Sequence, residues 1–146
     1  MTATCLLDVN VLVAMMWPAH EAHAKVQHWL SKRGTAHWAS CPFTQTAFVR
    51  IVSNPVFSPN ALTPANALAL LRSNLEHAGH QFWKDEIGLG EAIDLLKPKL
   101  IGHQQVTDAY LLGLAIHKKG KLATLDRKLP GLLSEAAGER GSIAVL

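Results

Sequence analysis

The sequence predicts a single α/β domain over residues 1–146, with a central parallel five-stranded sheet flanked by helices. Three observations predict it. Short apolar segments alternate with stretches of helical spacing along the chain, the order in which a parallel sheet and its crossovers are built. The length of 146 residues suits one domain and suffices to bury a core without disulfides or a structural metal. No repeat, low-complexity tract or linker divides the chain.

Thr4 to Leu7 reads as the first strand, closed by Asp8. Val9 to Met16 forms a short buried helix that stops at Trp17-Pro18, because the residue before proline disfavours helical geometry. His20 to Lys32 carries apolar residues at Ala22, Val26, Trp29 and Leu30, and Gly34 ends that helix. His37 to Ser40 is the second strand. Pro42 opens a helix expected to turn Phe43, Ala47, Phe48, Ile51 and Val52 inward, ending near Ser53-Asn54-Pro55. Thr63-Pro64 is a cap followed by a first-turn proline, with Ala67, Leu68, Leu70, Leu71 and Leu75 as the apolar face. His80 to Trp83 is the third strand, Glu91 to Leu100 a modest helix, and Gln104 to Lys119 a strong one closed by Gly120. Lys121 to Thr124 is the fourth strand, a short helix follows Pro130, and Ser142 to Leu146 is the fifth strand.

Composition narrows the function. Hydrophobic residues are 49% and charged residues 17%, which excludes a disordered chain. The apolar runs are too short for a membrane span, and Met1-Thr2-Ala3-Thr4 lacks the basic region of a signal peptide. Cys5 and Cys41 sit in apolar surroundings and read as buried free thiols of a reducing compartment, so a cytoplasmic protein is expected. The formal charge of +3 permits a phosphate-bearing partner without requiring one.

The acids carry the chemistry. In an open parallel sheet, ligands bind beyond the carboxyl ends of the strands. Asp8 ends the first strand and Asp126 follows the fourth by two residues, so both emerge at that edge. Asp108 interrupts an apolar stretch at the start of the strong helix. Carboxylates beside a core are costly unless paired or bound to a cation, and three together raise one another's pKa. A hard divalent ion such as Mg²⁺ or Mn²⁺ relieves that repulsion, and it suits phosphodiester hydrolysis. Each acid also has a structural reading: Asp8 and Asp126 as caps, and Asp108 as a first-turn acid facing the helix dipole.

Several motifs together resemble a known family. They are Leu6-Leu7-Asp8-Val9-Asn10-Val11-Leu12-Val13-Ala14, Cys41-Pro42-Phe43-Thr44-Gln45 with Phe48-Val49-Arg50 and Ser53-Asn54-Pro55, Val106-Thr107-Asp108-Ala109-Tyr110-Leu111, and Leu122-Ala123-Thr124-Leu125-Asp126. In that order they resemble the PIN-domain ribonucleases, and more closely the VapC-type toxins of bacterial toxin–antitoxin pairs, over essentially the whole chain. The resemblance implies a PIN fold and a Mg²⁺- or Mn²⁺-dependent endoribonuclease. It also implies a homodimer and a small antitoxin protein that neutralises it. The family's acids correspond to Asp8, Asp108 and Asp126, its hydroxyl residue near the site to Thr124, and a supporting position to Asn10. The family usually has Glu in the helix after the second strand, where this chain has Gln45. That departure predicts weaker metal binding through a neutral donor. It also opens an alternative, a catalytically weak or inactive RNA- or antitoxin-binding module.

For the nuclease, single-stranded or loop RNA (tRNA, rRNA or mRNA) is the expected substrate, because its bases are open to stacking and edge contacts. Arg127 is the first expectation for a phosphate contact and Arg50 the second, each with a salt bridge as its structural reading. Lys118, Lys119 and Lys121 form the densest basic cluster, equally explained as a solvated helix end. Trp17, Trp29, Trp38 and Trp83 offer stacking surfaces, with core packing the expectation for most, and His103 lies near enough to the Asp108 helix start to meet substrate or to cap it. His20-Glu21-Ala22-His23 has the wrong spacing for a zinc-protease helix. A phosphatase with Asp8 as nucleophile would want a second Asp where Asn10 stands. Gln45→Glu is expected to tighten metal binding if that position faces the site.

Overall fold

A computed structural model describes residues 2–96, 102–132 and 141–146. Five parallel strands, β1 (Cys5–Leu7), β2 (Trp38–Ser40), β3 (His80–Phe82), β4 (Lys121–Thr124) and β5 (Ile143–Val145), form one sheet in the order β3-β2-β1-β4-β5. The helices are α1 (Val9–Met16), α2 (His23–Lys32), α3 (Pro42–Val52), α4 (Pro64–Leu75), α5 (Leu89–Leu96) and α6 (Val106–His117), with 3₁₀ turns at His103–Gln105 and Leu129–Leu132. The parallel five-stranded α/β architecture is the one the sequence predicts.

Both faces of the sheet's centre are covered, so β1 and β4 read as largely apolar runs, while the edge strands β3 and β5 are only partly buried. Leu6, Ala39 and Leu122 pack on one side with α5 and α6, around Leu96, Leu111, Leu112 and Leu114. Cys5, Leu7, Trp38 and Ala123 pack on the other with α1 to α4, around Leu12, Phe48, Val52 and Leu71. This alternation is the two-residue period of a strand. Cys5 and Cys41 are buried free thiols, as expected, and burial pushes both above the ordinary thiol pKa.

Local chemistry sets the helix ends. Thr63 caps α4 through its hydroxyl, which accepts the Asn66 N–H at 3.1 Å, and Pro64 follows in the first turn. Thr44 accepts the Cys41 N–H at 3.1 Å and ties down the start of α3. The second helix begins at His23 instead of His20, because the His20 ring accepts the Ala22 N–H and holds a turn there. The strong helix begins as a 3₁₀ turn and becomes α-helical at Val106. Its predecessor starts at Leu89, earlier than Glu91, and positions 97–100 of its expected span lie outside the described residues. Two inward assignments are corrected. Phe43, in the first turn of α3, is 44% exposed and lines a cleft, and Leu68, past the first turn of α4, is 38% exposed.

α5 lies tight against α6 because Gly113 has no side chain: a Cβ there would sit 2.7 Å from the Cα and carbonyl carbon of Ala92 and closer still to its oxygen. Gly113→Ala is therefore expected to lose about 1–3 kcal/mol of stability through overpacking. Gly90→Ala, where a Cβ meets open space, is expected to stay within about 0.5 kcal/mol of the parent. Urea unfolding followed by circular dichroism compares the two.

A candidate active site at the sheet edge

The strand order reverses direction between β1 and β4, since the chain winds outward through β2 and β3 before returning beside β1. A crevice opens at the carboxyl ends of such a pair. Leu7 pairs with Ala123, so the next residues, Asp8 and Thr124, face each other across the two strands.

Asp8 is nearly fully buried, 4% exposed. Its Oδ1 accepts the Val9 N–H at 2.8 Å and its Oδ2 accepts the Thr124 hydroxyl at 2.8 Å. The same Thr124 oxygen accepts the Asp126 N–H at 3.0 Å. Asn10 closes the mesh: its Oδ1 accepts the Leu125 N–H at 3.2 Å and its amide reaches Thr124 Oγ1 at 3.5 Å. One buried hydroxyl thus ties β1, α1 and the turn after β4 together. Asp8 is both the cap of α1 and a member of the acid group, so its two readings coincide.

Asp108 enters from α6. That helix runs antiparallel to the strands, which brings its first turn, and Asp108 with it, to the carboxyl edge. Burial pushes the Asp108 carboxyl up to about 6, and the charges of Asp8 and Asp126 push in the same direction. Asp8 is also raised, mainly by burial, against the lowering influence of Thr124 and Val9, and Asp126 adds to the rise. Each of the three acids therefore lies within electrostatic reach of the other two. Among the described residues, no three His, Cys, Asp or Glu side chains stand close enough to ligate one ion together. The donor set still suits Mg²⁺ or Mn²⁺, which takes one or two carboxylates and keeps several waters.

Two clefts meet at Asp108. The larger, about 450 Å³, runs between α3 and α6 and is lined by Asp8, Phe43, Thr46, Arg50, Asp85 and Asp108 among others. The smaller, about 370 Å³, is lined by His103, Gln104, Gln105, Asp108, Asp126 and Lys128. The structure thus brings together Asp8, Asp108, Asp126, Thr124 and Asn10, and it sets Arg50 on the larger cleft and His103 on the smaller. Arg127 is exposed and lines neither cleft, whereas its neighbour Lys128 does.

Gln45 is placed differently from its expected role. Its amide donates to Ser40 Oγ at 2.9 Å, and that oxygen is 2.7 Å from His80 Nε2. This chain of polar groups runs across β2 to β3, and Gln45 is absent from the lining of either cleft. The Lys cluster lies at the opposite end of α6, where Lys118 pairs with Glu86 at 3.1 Å. Trp38 and Trp83 are core residues, while Trp17 packs on Phe57 and Trp29 under Arg33. Asp85, Thr46, Thr107 and Lys128 line the clefts without standing among the sequence-predicted site residues. Only Thr107, beside Asp108, carried a local signal.

A PIN domain model matches residues 5–132. Ribonuclease VapC39 of Mycobacterium tuberculosis is 41% identical over 128 residues, covering 86% of this chain and 91% of that protein. Ribonuclease VapC38 of the same organism is 40% identical over 121 residues, covering 83% and 84%. Among solved structures, VapBC2 from Rickettsia felis bound to a promoter DNA fragment aligns with a TM-score of 0.58 at 14% identity, covering 89% of this chain and 96% of that one. FitAB bound to an IR36 DNA fragment aligns with a TM-score of 0.61 at 17% identity, covering 97% and 93%. These two share the fold. With its three acids gathered at the switch point of a parallel sheet and its matched span running from β1 past β4, the chain belongs to the PIN domain family, as a VapC-type member.

Proposed function

We propose that the protein is a divalent-metal-dependent endoribonuclease, the toxin of a toxin–antitoxin pair, acting on single-stranded or loop RNA in the cytoplasm. The observation that carries the reading is the convergence of Asp8, Asp108 and Asp126, each raising or feeling the charge of the others at one sheet edge. The ribonuclease names of relatives at 40–41% identity support the reaction class. The antitoxin partner is supported by the solved VapBC2 and FitAB complexes, and a homodimer is proposed with it.

Asp8, Asp108 and Asp126 would hold Mg²⁺ or Mn²⁺, directly or through water. When bound, the cation lowers the pKa of an attacking water and offsets charge growing on the phosphate. Thr124 fixes the rotamer of Asp8 through its hydroxyl, and Asn10 fixes Thr124's turn, so the buried carboxylate is presented in one orientation. Arg50 on the larger cleft and Lys128 on the smaller stand where phosphates on either side of the acids would pass. Arg127, next to Asp126, contributes from outside the clefts. Gln45 donates to Ser40 and lines neither cleft, which supports a structural role for it in α3. The inactive-module alternative rested on Gln45 in place of the usual Glu; the ribonuclease names of the relatives support the catalytic reading over it.

Asp8→Asn, Asp108→Asn and Asp126→Asn are each expected to cut RNA cleavage on the order of 100-fold or more, and EDTA to abolish it in the parent. Timed digestion of a labelled RNA pool with Mn²⁺ reads this out, and undiminished cleavage by all three variants would overturn the reading. Gln45→Glu is expected to leave Mn²⁺ affinity within about twofold of the parent by calorimetry, since its side chain bonds Ser40. A large gain would instead put that position at the ion.

The acid repulsion predicts a pH effect on folding. Between the ordinary value of 3.8 and about 6, native Asp108 holds a proton that the unfolded chain has released. Stability is therefore lost as pH rises through that window. Without divalent ion, Asp108→Asn is expected to be more stable than the parent at pH 7.5, by about 1–2 kcal/mol after discounting for solvent screening. The gap should close towards pH 4 in urea titrations.

A further inference from the structure

Asp85 lies on the loop after β3, exposed, on the same cleft as Asp8 and Asp108. The Tyr110 hydroxyl, 3.2 Å from Asp85 Oδ1 and 3.3 Å from the Ile87 carbonyl, anchors it. Tyr110 keeps its proton, because burial and the Asp85 charge push the phenol up to about 12. Among the described residues, Asp85 Oδ2 takes no hydrogen bond and the carboxylate forms no salt bridge. Phe43 lies on the same cleft, 44% exposed, its ring centroid 6.4 Å from that of Tyr110. A flat apolar face thus stands beside an oriented acceptor, in a cavity continuous with the acids.

We propose that Phe43, Asp85 and Tyr110 form a nucleobase subsite that prefers guanine in the RNA strand crossing the groove. Phe43 offers a stacking face, as aromatic side chains do for unpaired bases. Asp85 is an acceptor-only group, so it selects a base edge that presents N–H donors. Guanine presents two adjacent donors, N1–H and the N2 amine, which match the two oxygens of a carboxylate. Uracil presents one N–H, and inosine lacks the amine. Tyr110 is a positioning residue that holds the carboxylate. The larger cleft has volume for a base, about 450 Å³, and Arg50 stands on the same face of α3 as Phe43 for the adjoining phosphate. This deepens the nuclease reading and rests on it for the kind of polymer bound.

The test is binding without cleavage. Fluorescent uridine hexamers carrying one guanosine at each position in turn, with inosine and abasic counterparts, are titrated with the protein in EDTA and followed by anisotropy. At one position, guanosine is expected to bind on the order of tenfold tighter than inosine. Asp85→Asn should erase that ratio. Phe43→Ala and Phe43→Leu should both weaken the guanosine hexamer towards the affinity of the abasic one, because leucine keeps the apolar volume but not the flat face. Equal binding of guanosine, inosine and abasic hexamers by the parent, or a guanosine preference that survives Asp85→Asn, overturns the subsite. The same hexamers with Mn²⁺ separate the two ideas. Cleavage without base preference sinks the subsite alone, and guanosine-selective binding without cleavage sinks the nuclease reading alone.

Discussion

The hydrogen bond from Thr124 to Asp8, 2.8 Å long and buried at the junction of β1 and β4, is the interaction on which the rest of the site depends. A carboxylate this deep is costly unless satisfied on its own terms. Here each of its oxygens accepts one donor, and the hydroxyl that serves one of them also receives the backbone of Asp126. The energy of the arrangement and its geometry are inseparable. The bonds that make the buried acid tolerable also fix the turn that carries the next acid, and Asn10 locks α1 to the same turn.

Topology supplies the remaining member. A helix that precedes a parallel strand on the sheet must start at that sheet's carboxyl edge, so α6 delivers its first turn beside Asp8. The helix N-terminus favours a negative charge there, but burial and two neighbouring acids outweigh it, and Asp108 sits at about 6. The fold therefore stores electrostatic strain at one point. A cation with a small carboxylate requirement and its own waters would relieve it, and among the described residues no three His, Cys, Asp or Glu side chains close around an ion by themselves.

Much of this was legible from residues alone. The strands announced themselves because both faces of the sheet are buried, so Cys5-Leu6-Leu7 and Leu122-Ala123 read as unbroken apolar runs. Asp8, Asp108 and Asp126 stood out for the opposite reason, as charges set inside or against such runs. What stayed hidden was side-chain direction at helix starts. Phe43 has the right spacing for the core face of α3, yet it stands in the first turn, 44% exposed, and lines the cleft. Gln45 occupies a family slot by sequence, but Ser40 and His80 offer its amide a polar chain on the other side. Asp85 carries no local pattern at all; only the packing of Tyr110 against its loop brings it to the groove.

The most direct measurement is the anomalous-difference map of a crystal grown with Mn²⁺. The expected result is one strong peak at the β1–β4 crevice, with carboxylate oxygens of Asp8 or Asp108 at about 2.0–2.3 Å and waters filling the remaining positions. A fully ligated Mn²⁺ bound elsewhere, with this crevice empty at saturating metal, would contradict the claim that the three aspartates share a divalent ion.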